Sequence, residues 1–413
     1  MGIGGAGMSG LALLLSELGY EVSGCDVSYT SYVDRIKQKG IDFVIGHEKG
    51  HLEAYLPDLL IYSSAIPENN EELIQAKELG ITVAKRAQVL SWLFNRKFGI
   101  GIAGTHGKTT TSSMIAMILE QAGLKPTVAI GGELCDIGVN AKLGNGPYMV
   151  AELDESDGSF EEFQPNISIV TNADWDHVDH YPTLDSVIQA YNRFISKTKP
   201  GGLCVLCGED PGLNNLMSVL PADFNVESYG FGTSWDWGAY DIIHKSGGGV
   251  TFSVCHKGKH VTDMKLSVSG DHNILNALAA TIVARKLNIP YSYIRDTLHD
   301  FKGAKRRLQY MGQVGNADIY DDYGHHPREI AATLNTINQM FPSRRHVVVF
   351  QPHRYTRTAA MYQEFSEVLT MADSLLVMPI YPADEQPIEG VSSELICHCL
   401  DTSGYRNYHL CQD

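Results

Sequence analysis

The segment Ala103-Gly104-Thr105-His106-Gly107-Lys108-Thr109-Thr110-Thr111 constrains this chain more than any other. An apolar run, Phe98 to Ile102, precedes it, and an amphipathic run, Ser112 to Gln121, follows it. Strand, glycine loop and helix in that order place backbone N–H groups and a helix N-terminus around an anionic phosphate. In such a loop Lys108 reaches the terminal phosphates and the Thr109 hydroxyl ligates Mg²⁺. The position six before the lysine is Ile102 and not glycine, so the match is to the shorter GTxGKT form. The expected nucleotide contacts are Gly104, Thr105, His106, Gly107, Lys108, Thr109 and Thr110.

A chain of 413 residues exceeds what one core serves, so two or three domains are expected. A formal net charge of −16 argues against a broad nucleic-acid or anionic-membrane surface, while leaving room for a local basic pocket. No stretch has the eighteen or so uninterrupted apolar residues of a membrane span. The glycine-broken N-terminus lacks the basic start of a signal peptide. Cys204-x-x-Cys207 and Cys397-x-Cys399 lack companion pairs and read as buried reduced thiols of a cytosolic protein.

Near the start, Gly2-Ile3-Gly4-Gly5-Ala6-Gly7-Met8-Ser9-Gly10 contains G-x-G-x-x-G before a helix-like run, Leu11 to Leu18. Tyr20 to Gly24 reads as a strand with Asp26 at its end. The pattern fits NAD, FAD or a nucleotide-sugar diphosphate equally, with the acid on a ribose hydroxyl. No apolar strand precedes Gly2, so the chain is expected to begin inside its first βα unit. Leu59 to Tyr62 is a short strand running into Ser63-Ser64-Ala65, a place where a parallel sheet holds ligands. Gly46-His47 is a further candidate of the same kind.

In the middle, the strands Tyr148 to Ala151 and Ile167 to Asn172 end in Glu152-Leu153-Asp154-Glu155-Ser156-Asp157 and Asp174-Trp175-Asp176-His177-Val178-Asp179-His180. Carboxylates and an imidazole at parallel strand ends beside a phosphate loop suit Mg²⁺ or Mn²⁺. Asn273 and Asn276 share one face of a helix, where they read an adenine edge or cap the helix. Gly303-Ala304-Lys305-Arg306-Arg307-Leu308 is a basic joint, a solvated linker or a phosphate clamp. Beyond it, Asp321-Asp322-Tyr323-Gly324-His325-His326-Pro327 and Gln351-Pro352-His353-Arg354-Tyr355-Thr356-Arg357-Thr358 each follow a strand. Arginine grips a carboxylate in a bidentate fork, so a small acid such as an amino acid is an expected guest.

These motifs, in this order and over nearly the whole chain, resemble the Mur ligase family. The matching stretches are GIGGxGMSG at Gly2, GTHGKTTT at Gly104, AELDESD at Ala151, TNxxxDHxD at Thr171, GxHNxxN at Gly270, DDYGHHP at Asp321 and QPHRYTRT at Gln351. The resemblance implies an α/β fold of three domains. Residues 1–96 form a Rossmann-like UDP-sugar domain, 97–304 a P-loop ATPase with a mostly parallel sheet, and 305–413 a Rossmann-like amino-acid domain. Both outer domains are expected to be incomplete at the chain ends. It implies UDP-sugar contacts at Gly4, Gly5, Gly7, Met8, Ser9, Asp26, His47, Ser63, Ser64, Ala65, Glu155 and Ser156. ATP would meet the phosphate loop, Asn273, Asn276 and Arg307; Mg²⁺ or Mn²⁺ would meet Thr109, Glu152 and His177. The amino acid would meet Tyr323, His325, His353, Arg354 and Arg357. Lys108, His177, His325, His353 and Arg357 would carry the chemistry.

The HRYTR run and the tyrosine before Gly324-His325-His326 favour the member that joins L-alanine to UDP-N-acetylmuramate over the tripeptide-adding sibling. A cytoplasmic monomer or weak dimer, without nucleic-acid or membrane partners, is expected. A nicotinamide dehydrogenase or a non-catalytic nucleotide-binding regulator are the competing readings. The first leaves the phosphate loop and both histidine-rich motifs without a task.

Overall fold

The phosphate-loop strand sits at the centre of the largest sheet. The computed structural model describes residues 1–413 apart from 49, 132–139, 157, 177–179, 222–223, 384 and 412–413. Strands β1 (Ser23–Asp26) and β2 (Asp42–Ile45) form one parallel pair, and β3 (Leu59–Tyr62) and β4 (Thr82–Lys85) a second. Met1 lies between the pairs: its amino group donates to Ile61 O at 2.6 Å, and the Gly2 N–H donates to Cys25 O at 2.8 Å.

The middle of the chain contributes β5 (Phe98–Ala103), β6 (Thr127–Ala129), β7 (Ala141–Lys142), β8 (Tyr148–Glu152) and β9 (Ile167–Val170). It continues with β10 (Leu203–Cys207), β11 (Val226–Phe231), β12 (Trp237–His244), β13 (Val250–His256) and β14 (Lys259–Leu266). Among the described residues these make one sheet in the order β14-β13-β12-β11-β10-β9-β5-β8-β6-β7. It is parallel from β12 through β6 and antiparallel at both edges. Strand β10 is buried at every residue, the reason it reads as an unbroken apolar run and not as an alternation. The last segment adds a hairpin, β15 (Gln309–Val314) with β16 (Ala317–Asp321), and a parallel sheet of β17 (Val347–Phe350), β18 (Ser374–Val377) and β19 (Tyr408–Leu410).

In the first segment two boundaries differ from the sequence reading. The first helix spans Ala6–Glu17, so it starts inside the glycine segment, with Gly5 as its N-cap. The first strand begins at Ser23 and not Tyr20. Gly19 takes φ +92°, and the Tyr20 N–H donates to Leu15 O at 3.1 Å, so a glycine-led helix stop uses the residues expected to extend. Both thiols of Cys204-x-x-Cys207 are buried and free, as expected.

Candidate active site

The phosphate loop runs from β5 to the helix Lys108–Gln121. Two glycines are required by space. A side-chain carbon on Gly104 (φ +124°) would lie 2.2 Å from Thr171 Oγ1, and one on Gly107 (φ +82°) 2.7 Å from Asn276 Oδ1. The ends of β5 and β9 are therefore closed tightly around the loop. Lys108 Nζ donates to Gly104 O at 2.5 Å, Thr105 O at 3.2 Å and Glu155 Oε1 at 2.8 Å. Burial works against the ammonium, but Glu155, Asp154 and Glu152 outweigh it and keep Lys108 charged. Burial in turn pushes the Glu155 carboxyl up to about 7, against the pull of Lys108.

The Thr109 hydroxyl lies 3.0 and 3.1 Å from the two Glu152 oxygens. Hard oxygen donors from a helix N-terminus and the end of β8 are the chemistry of a Mg²⁺ or Mn²⁺ site, so these two residues fit the expected ion. The third expected ligand, His177, lies outside the described residues. Glu152→Gln is expected to raise the Mg²⁺ concentration for half-maximal turnover by about tenfold or more. An unchanged Mg²⁺ requirement in a steady-state titration would remove Glu152 from that site.

Opposite the loop stand the third segment's strand ends. Tyr323, His325 and His353 cluster, with ring centroids 5.1 Å apart for Tyr323–His325 and 5.7 Å for His325–His353. Burial, reinforced by Arg357, pushes His353 down to about 4, and burial also lowers His325. Both shifts favour the neutral ring, which offers a lone pair to an N–H donor. Arg354 takes φ +73° at the N-cap of the helix Tyr355–Leu369, held by its N–H to Tyr381 O at 2.8 Å. Backbone strain of this kind costs about 1–3 kcal/mol.

The centre joining these groups is Glu329, which the sequence reading did not single out. Its carboxylate faces His106 Nδ1 at 3.3 Å and Arg307 Nη1 at 3.1 Å, and it accepts from the His325 N–H at 3.1 Å. Burial opposes its charge, yet His106 and Arg307 hold its pKa well below the usual carboxylate range. His106 Nε2 meets Asp174 Oδ2 at 3.1 Å, and Asp174 also meets Arg328 Nε at 3.1 Å. Arg357 pairs with Asp176 through Nη2–Oδ1 at 3.0 Å and Nη2–Oδ2 at 3.2 Å, both residues buried. The loop, the basic joint and both histidine motifs thus share one charged network.

That network makes His106 a pH-sensitive element. Burial alone would lower its pKa, but Asp174 and Glu329 overcome this and raise it to about 9. A folded-state pKa above the ordinary 6.5 stabilises fully below about pH 6.5 and is lost as pH rises through about 9. The wild-type chain's melting advantage over His106→Gln is therefore expected to shrink between those two pH values. A constant difference across that range would show that His106 is not protonated in the fold.

Known proteins resemble this chain over most of its length. Residues 1–98 match the model of the Mur ligase family catalytic domain, 102–284 the Mur ligase middle domain, and 306–413 the Mur ligase glutamate ligase domain. The UDP-N-acetylmuramate–L-alanine ligase of Desulfatibacillum aliphaticivorans is 42% identical over 409 residues, covering 98% of this chain and 88% of that one. The protein of the same name from Aquifex aeolicus is 44% identical over 394 residues, covering 95% and 86%. The crystal structure of the UDP-N-acetylmuramate-alanine ligase MurC of Thermotoga maritima superposes with a TM-score of 0.84 at 29% identity, covering 100% of this chain and 89% of that one. The chain belongs to the Mur ligase family.

In this Mur ligase the first glycine segment adjoins the other expected sugar-nucleotide residues. A side-chain carbon on Gly2 would lie 3.1 Å from Ser63 Cβ, and the Gly4 N–H donates to Asp26 Oδ2 at 2.8 Å. The serine turn closes with the Ala65 N–H donating to Ser63 Oγ at 3.3 Å. A carbon on Gly7 would lie 3.1 Å from Arg86 Nη1, so a guanidinium the sequence reading passed over stands at the glycine segment. Met8 and Ser9 are buried, and the Ser9 hydroxyl donates to Ala6 O at 3.0 Å within the first turn of the helix. Asn276 gives its Oδ1 to Thr111 at 3.0 Å and its Nδ2 to Asn273 Oδ1 at 3.2 Å, which ties the helix Asp271–Lys286 to the loop. The one sequence signal for Glu329 was its spacing, four residues after His325 on a helix that starts at Pro327.

Proposed function

We propose that this Mur ligase joins L-alanine to the lactyl carboxylate of UDP-N-acetylmuramic acid at the expense of ATP, a step of peptidoglycan synthesis. The observation that carries the reading is the Glu329 network. It sets a phosphate loop with an acid-paired lysine directly against a histidine and arginine cluster suited to an amino acid. The names of the full-length relatives agree with it. Divisions near residues 96 and 304 separate the sugar-nucleotide, ATP and amino-acid units. Among the described residues no helix is long and apolar enough to cross a membrane, and a cytoplasmic monomer or weak dimer fits this reading.

An amide forms in water only from an activated acid. A lactyl carboxylate oxygen attacks the γ-phosphorus of ATP, the bond to the β,γ-bridging oxygen breaks, and ADP leaves. The alanine amine then attacks the acyl carbon; the phosphate departs with its oxygen, and the amine gives up a proton. Lys108 and the loop N–H groups hold the moving phosphoryl group, where preorganised charge supplies most of the rate. Bound at Thr109 and Glu152, Mg²⁺ would offset phosphate charge. Arg354 grips the alanine carboxylate, while His325 or His353 orients the amine or takes its proton. Arg357, spent on Asp176, positions that cluster.

Arg354→Ala is expected to raise the KM for alanine about 10–100-fold, the loss of a hydrogen bond to a charged group. An unchanged KM would take Arg354 out of the alanine site. The decisive assay measures phosphate release with UDP-N-acetylmuramate, ATP and Mg²⁺, plus alanine, glycine, serine or the murein tripeptide. Release that requires alanine, with a new amide by mass spectrometry, is the expected result. Release with the tripeptide alone would favour the sibling activity, and binding without turnover would overturn the ligase reading.

A further inference from the structure

Outside the reaction centre, one group of donors stands together in the N-terminal unit, and only its His47 has an expected task, at the sugar nucleotide. Cys25 ends β1, His47 follows β2, and Glu72 opens the helix Glu71–Glu78, so all three meet at the carboxyl edge of the parallel pairs. Their donor atoms lie within 4.8 Å of one another. Cys25 Sγ is 3.2 Å from His47 Nδ1 and 3.3 Å from Glu72 Oε2, and His47 Nδ1 is 3.7 Å from Glu72 Oε2. His51 Nδ1 lies beside this trio but outside it, 3.6 Å from the other Glu72 oxygen, Oε1.

A tetrahedral ion with bonds of about 2.0–2.3 Å sets its ligand atoms about 3.3–3.6 Å apart. The spacings of 3.2, 3.3 and 3.7 Å among Cys25 Sγ, His47 Nδ1 and Glu72 Oε2 match that within a few tenths. We propose that Cys25, His47 and Glu72 bind one borderline-soft divalent ion of the Zn²⁺ class, its fourth position left to solvent or ligand, distinct from the Mg²⁺ expected at Thr109 and Glu152. One sulfur, one imidazole nitrogen and one carboxylate select zinc or cobalt over magnesium, which takes oxygen donors. On binding, Cys25 gives up its thiol proton to solvent and its sulfur takes the metal in place of the Glu72 hydrogen bond. The ion enters through a cavity of about 810 Å³ that Cys25, His51 and Glu72 line.

Two neighbours set the contrast. The Met1 amino group shares this environment, and burial lowers its pKa below 8.0, so it opposes a cation little at about pH 8. The similar trio His106, Asp174 and His326 carries a protonated imidazole and Arg328 against its carboxylate, which repel a metal.

The test titrates Co²⁺ into the full chain, stripped with chelator and kept reduced, in excess Mg²⁺. One equivalent is expected to raise a near-ultraviolet thiolate-to-cobalt band, displaced by Zn²⁺ and absent in Cys25→Ser. No band in the wild-type chain, or an equal band in Cys25→Ser, overturns the proposal. Should Cys25→Ser fail to fold, His47→Ala decides: Co²⁺ affinity about tenfold or more weaker supports the site, and unchanged affinity overturns it. Neither readout depends on ligase turnover.

Discussion

Replacing Lys108 by alanine is expected to slow phosphate release at least about 10²–10³-fold, the effect of removing one preorganised donor from a charge-developing oxygen. The loss should fall in kcat and leave the alanine KM in place, because the ammonium lies on the phosphate loop, not among the histidines. Removing it also strips Glu155 of its cation at 2.8 Å. That carboxyl already titrates near 7, so it takes up a proton and the chain stays folded. Circular dichroism with steady-state phosphate release checks both halves. Near-normal turnover by the folded variant would refute the loop assignment.

The second large effect concerns the joint between the middle and C-terminal units. Arg357→Ala is expected to destabilise that joint by about 3–5 kcal/mol, since it breaks a buried ion pair with Asp176 by removing the cation. Deuterium exchange should then rise along the helix Tyr355–Leu369 and at the loop after β9. The pair Arg357→Met with Asp176→Asn should recover most of the loss, because both charges of the pair are removed together. Exchange in Arg357→Ala identical to wild type would show that this ion pair does not hold the units together. The same measurement separates a positioning role from direct contact with alanine: a positioning residue moves exchange as well as KM.

Much of the architecture was legible because parallel strands buried on both faces declare themselves as short apolar runs. The expected runs Phe98 to Ile102 and Tyr148 to Ala151 lie within observed strands and are buried at every residue but the first. Helix starts read less well. The helices at Ala6 and Lys108 begin within glycine-containing segments, where the sequence signals a turn and the left-handed Gly107 caps the helix directly. The strand expected from Tyr20 failed for a related reason: the glycine stop at Gly19 claims the next backbone donor.

Local sequence determined the chemistry held at each strand end: a lysine and threonine on a phosphate loop, carboxylates after β8 and β9, and histidines and arginines after β16 and β17. Those identities follow from residue type and short spacing, which the chain carries in itself. Only the tertiary structure decided which charges meet. Glu329 joining His106 and Arg307, Asp174 meeting Arg328, Arg357 meeting Asp176, and Cys25 meeting His47 and Glu72 are contacts between distant segments. A buried charge settles on whichever opposite charge packing brings within a few ångströms, and that choice is made by the fold as a whole.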